Sequence, residues 1–110
     1  MAYDVELADR LREALAPEPG VVEKRMFGGL AFLVGGHMAV AASREGGLLL
    51  RVDPARTGEL LAGPRVRPFV MRGREMDGWV RVEIDAGASD EDLGHWLGLG
   101  LGYVRSLRPK

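Results

Sequence analysis

Leucines at 7, 11 and 15 recur every four residues with Ala8 and Ala14 beside them, while Glu6, Asp9, Arg10, Arg12 and Glu13 fall mostly on the other side. An apolar stripe of that period predicts an amphipathic helix over residues 3–15. Pro17 and Pro19, followed by Gly20, stop it, because proline has no amide to donate and its ring clashes with the preceding turn. From residue 21 the period drops to two. Residues 21–26 read as a short strand or strand entry, and residues 30–34 and 37–42 as clearer strands around a Gly35-Gly36 turn. Arg44-Glu45-Gly46-Gly47 marks another turn before residues 48–52. The pattern predicts an antiparallel meander of about three strands, with Gly28-Gly29 inside the first as a bulge or a close backbone approach.

Asp53-Pro54 has the form of a helix cap followed by proline at the first helical position. A short helix through Leu60 and Leu61 follows, closed by Gly63-Pro64. Residues 66–71 and 79–84 read as two more strands, and their connection offers both Arg72-Gly73-Arg74 and Asp77-Gly78 as the turn. Alternation puts Val80, Val82 and Ile84 on one face, and Trp79, Arg81 and Glu83 on the other. Ser89 before Asp90, Glu91 and Asp92 opens a last helix, predicted to reach residue 107. Leu93, Trp96, Leu97, Leu101, Val104 and Leu107 form its apolar side. The expected fold is α+β, an antiparallel sheet of about five strands in the order α-β-β-β-α-β-β-α, as one domain over residues 1–110.

Composition narrows the function classes. An apolar fraction of 46% and 28% charged residues exclude wholesale disorder. Fifteen basic against sixteen acidic residues, a net charge of −1, do not give the strongly positive footprint of a nucleic-acid binder. Cysteine is absent, so no disulfide, thiolate nucleophile or thiolate metal site can form. The start is acidic and turns amphipathic at once, unlike a secretory leader, so a cytoplasmic location is expected. Residues 26–43 carry no formal charge over eighteen positions, close to the length of a membrane span. The two glycine pairs would weaken a helix there, so two buried strands are predicted instead.

Few side chains suggest chemistry. Arg25 could hold an anionic partner while Gly28 and Gly29 let a backbone approach closely. The simpler expectation is that Met26 and Phe27 are core, the glycines a bulge, and Arg25 paired with a carboxylate. His37 and His95 lack a carboxylate-rich neighbourhood in sequence and are expected to be structural or surface residues. Ser43 has no evident activating partner. Arg65, Arg67, Arg72 and Arg74 form the densest basic stretch, with Arg65 and Arg67 expected on one strand face as a solvated edge rather than a phosphate-contacting surface. Gly94, Gly98 and Gly102 recur every four residues in the last helix and suggest a groove for another helix, of the same chain or of a second copy.

The run Arg25-Met26-Phe27-Gly28-Gly29, followed by a hydrophobic strand, a glycine turn and Leu49-Leu50-Arg51-Val52-Asp53, resembles the N-terminal domain of the TfoX/Sxy family. Pro68-Phe69, the Gly73 turn and the helix bearing Trp96 are similar in order. The resemblance implies a sheet packed against helices and a link to regulation, since members include activators of competence genes for DNA uptake. Those regulators carry a further C-terminal helical domain, so this chain is expected to be the stand-alone form. No catalytic, cofactor-binding or metal-ligating residue is assigned. The expected function is a non-enzymatic regulatory or protein-interaction domain with a protein partner or a second copy of itself, and neither nucleic acid nor membrane is expected. The alternatives are a small-molecule-binding domain or an enzyme of unrecognised site, and, more weakly, nucleic-acid binding through residues 65–74.

Overall fold

The computed structural model describes residues 3–26 and 28–109. Helix α1, Val5–Ala14, is capped by the Asp4 carboxylate, which accepts the Leu7 amide at 3.1 Å. Leu7, Ala8, Leu11 and Leu15 are buried as the four-residue spacing predicts, whereas Ala14 is exposed. Strand β1, Val21–Met26, pairs antiparallel with β2, Gly29–Val34, and β2 with β3, His37–Ala42. Thus residues 26 and 28–42 of the uncharged stretch form strands and turns, and among the described residues no helix is long and apolar enough to cross a membrane. Gly35 and Gly36 take φ of 60° and 83°, the left-handed pair that a two-residue hairpin needs. Strand β4, Leu48–Arg51, continues the meander.

A 3₁₀ turn, Pro54–Arg56, capped by Asp53, leads into the short helix α2, Thr57–Leu61. The buried Thr57 hydroxyl accepts the Gly78 amide at 2.8 Å and ties α2 to the sheet. Strands β5, Val66–Met71, and β6, Arg74–Val82, form the second hairpin. Its turn is Arg72-Gly73, which leaves Asp77-Gly78 inside β6, where the Gly78 carbonyl accepts the Val52 amide. Helix α3, Asp90–Arg105, is capped by Ser89 and ends two residues before the predicted boundary. Leu101 and Leu107 are only partly buried.

The sheet has six strands rather than five, in the order β1-β2-β3-β4-β6-β5, so the sequence of elements is α-β-β-β-β-α-β-β-α. The extra strand is β1. Its register runs without a break from Val21 opposite Val34 to Met26 opposite Gly29. Gly28 therefore lies in the hairpin reversal between two strands and Gly29 opens the second, and neither is a bulge within one strand. As an edge strand of four exposed residues between two half-buried ends, β1 lacks the apolar alternation that marks buried strands.

One face of the sheet holds the main core. Phe32, Val40, Leu48, Leu50, Val80 and Val82 pack there under Leu7 and Leu11 of α1 and Leu93, Trp96 and Leu97 of α3. Each fully buried leucine or phenylalanine stabilises by about 1.5–3 kcal/mol relative to exposure. As alternation predicts, Val80, Val82 and Ile84 face this core and Trp79 faces away.

Candidate functional site

The other face carries a second apolar cluster built only from strand residues. Ala31, Met38, Ala41, Leu49 and Phe69 are buried in it, with Met26, Leu33, Met71 and Trp79 half-covered around them. Among the described residues no helix contributes to this cluster. Met26 belongs to the first strand in the sheet order and Phe69 and Met71 to the last. Although β1 and β5 are the two edges of the sheet, their residues Met26, Phe69 and Met71 border one open cleft on this face. Between them lies an open cleft of about 400 Å³ lined by Met26, Leu49, Phe69, Val70 and Met71 among others.

The rim is cationic. Of the four charged residues lining the cleft among the described residues, three are Arg44, Arg72 and Arg81 and one is Glu45. Glu45 pairs with Arg81 at 2.5 Å. Arg81 also donates to the Ser43 hydroxyl at 3.2 Å and lies 5.7 Å over the Phe69 ring, so it is held in place as part of the wall. Arg44 and Arg72 are exposed and make no ion pair among the described residues. Arg72 has φ of 53°, a left-handed conformation that disfavours a β-carbon.

The residues singled out in the sequence separate in space. Met26 and Gly29 line the cleft, and Gly28 lies under the Arg44 side chain. A β-carbon at Gly29 would collide with the Ala42 carbonyl oxygen, so glycine there lets β2 close onto β3. Arg25 sits opposite Leu30, on the face away from Met26, and has no carboxylate partner among the described residues. Phe27 lies outside the described residues.

Arg65 and Arg67 do not act as one basic edge. Arg65 precedes β5 and donates to both Asp92 oxygens, at 3.0 and 2.8 Å, while Arg67 pairs with Glu83. Arg72 stands at the hairpin tip and joins the cleft; Arg74 begins β6, exposed. Arg44 and Arg81 were not legible as site residues, because one sits in a turn and the other in an ordinary strand alternation. Only the tertiary fold brings them to one cleft with Arg72.

The pattern of shifted acidities is structural. Hydrogen bonds from Arg65 hold the Asp92 carboxyl below the usual carboxylate range, and Arg12 does the same for Glu23. None of these groups lines the cleft. The His37 Nε2–H donates to the Arg108 carbonyl oxygen at 2.6 Å, with its buried Nδ1 unpartnered, and His95 stacks edge-on to Trp96 at 4.8 Å. The described residues contain no group of three or more potential metal ligands. The Ser43 hydroxyl touches Arg81 and the Glu45 amide, neither of them a base.

In α3 the glycine row faces solvent. A β-carbon at Gly94, Gly98 or Gly102 would meet open space. The close approach is at Gly100, whose β-carbon would lie 2.9 Å from Leu50 Cδ1 and 3.0 Å from the Ala39 carbonyl oxygen. Intramolecular packing therefore uses the glycine between those in the row, not the row itself.

A six-stranded antiparallel sheet, helix-covered on one face and hollowed into an arginine-rimmed cleft on the other, defines an α+β class without an evident catalytic centre among its described residues. A model of the TfoX N-terminal domain family matches residues 13–102 of the 110, and the chain belongs to that family. No curated protein and no solved structure matches it.

Proposed function

We propose that this chain is a non-enzymatic regulatory module of the TfoX N-terminal type, acting in the cytoplasm by holding a protein partner against the helix-free face of its sheet. The observation that supports this is the half-covered apolar cluster of Met26, Leu33, Met71 and Trp79 around an open cleft. Val22 and Val70, 59% and 51% exposed, are the most solvent-accessible large apolar residues among those described. Val70 lines the cleft, and Val22 lies on the same face, opposite Leu33. Exposed apolar surface of this kind is the usual mark of a contact site. The role in gene regulation, competence included, rests on family membership alone.

The test is capture from an extract of the producing cells with the wild-type chain and with a Val70→Gln, Met71→Gln variant of unchanged circular dichroism. A protein retained by the wild type and lost by the variant supports the proposal, provided that its addition moves amide resonances on β5 and β2. Retention indifferent to the substitutions, or recovery of a metabolite alone, overturns it. A metabolite would favour the second reading, a small-molecule site, since about 400 Å³ falls within the range of ligand pockets.

A further inference from the structure

We infer that the segment seated in the cleft is an acidic peptide carrying a large apolar side chain; this rests on the interaction reading above and names its partner's chemistry. The floor of Met26, Leu49 and Met71 is apolar and calls for an apolar anchor. Among the described residues the rim leaves Arg44 and Arg72 without a carboxylate, and its one acid, Glu45, is already engaged by Arg81. Two unneutralised guanidiniums beside an apolar floor complement carboxylates flanking a hydrophobic residue.

The same features argue against other occupants. In a two-fold dimer the patch meets its own copy, which would bring two net-positive rims together without adding a carboxylate to offset them. Nucleic acid needs exposed aromatic faces for its bases or a continuous basic track for its phosphates. Phe69 is only 8% exposed, with Arg81 over its ring and Trp79 tilted against it at 6.3 Å. Arg65 and Arg67 are turned to Asp92 and Glu83.

The experiment is fluorescence polarisation with a labelled peptide of about 12 residues, alternating glutamate with leucine and phenylalanine, as extended groove ligands do. Its controls are the same peptide with lysine for glutamate, the same with serine for the apolar residues, and an oligothymidylate of equal charge. The protein variants are Arg44→Gln, which keeps the stem over Gly28, and Arg72→Gly, which removes a cation from a left-handed position that glycine accepts freely. Arg72→Gly therefore stays folded, and lost binding cannot be blamed on unfolding.

The expected result is binding of the acidic apolar peptide alone, about tenfold weaker in the double variant and weaker in high salt. Equal binding of the lysine peptide overturns the acidic partner but leaves the protein-interaction reading standing. Preference for the oligothymidylate, or for the serine peptide, overturns the inference as well. No binding of any peptide up to about 1 mM, with no resonance shifts on this face, overturns both.

Discussion

Arg44 lies across Gly28, where a β-carbon would stand 2.7 Å from Arg44 Cδ and 3.3 Å from its Cβ. Gly28 also has φ of 75°, so the signature glycine both reverses the chain and makes room for a cleft arginine. The next glycine meets backbone instead, the Ala42 carbonyl oxygen, which cannot swing aside as a side chain can. Urea unfolding should therefore rank the two. Gly28→Ala is expected to destabilise by about 1–2 kcal/mol through the left-handed conformation. Gly29→Ala should destabilise by about 3 kcal/mol or prevent folding, because the β2–β3 ladder must open to admit the methyl group. The reverse order would show that the ladder is looser than the structure has it.

The glycines of α3 should respond in opposite directions. Gly98→Ala adds a methyl in open space on an exposed helical position and should raise stability by about 0.5–1 kcal/mol. Gly100→Ala drives a methyl against Leu50 and the Ala39 carbonyl and should lower it by roughly 1–2 kcal/mol. Thermal unfolding of the two single variants decides this; a stabilising Gly100→Ala would contradict the close packing of α3 on β3 and β4.

Acid should selectively remove the link between β5 and α3. Arg65 lowers the folded pKa of Asp92, so the contribution is complete above the unfolded carboxylate value of about 3.9 and disappears as pH falls through the lowered folded value. The melting temperature of Asp92→Asn should fall below that of the wild type at neutral pH. The gap should narrow as pH falls below about 3.9 and close once Asp92 is protonated in the folded state. A gap that persists there would show that the substitution acts through something other than the ion pair, and not through the Trp96 Nε1–H bond, which an asparagine oxygen can also accept.

Local geometry was legible without coordinates wherever a residue's own period or backbone preference decided it. Leu7, Leu11 and Leu15 announced a buried helix face, Gly35-Gly36 a tight hairpin, and Ser89 and Asp53 two caps. The misreadings share one cause. β1 shows no alternation because it lies at an edge, so Gly28 and Gly29 were placed inside a strand rather than between two. The Arg65–Arg74 run was expected to be a solvated edge, and its ion pairs were not foreseen because charge partners are invisible along the chain: Asp92 and Glu83 lie 27 and 16 residues from Arg65 and Arg67.

From its sequence alone this protein was already an α+β chain, since short-range sterics and apolar periodicity choose helices, strands and turns, and the Arg25–Gly29 run carried its resemblance to the TfoX N-terminal domain. The cleft belongs to the tertiary structure. The sheet order and packing bring Met26 and Met71, from opposite edge strands, to one hollow, and Arg44, Arg72 and Arg81 to its rim. No local pattern encodes that arrangement, because it depends on how every strand packs against the next.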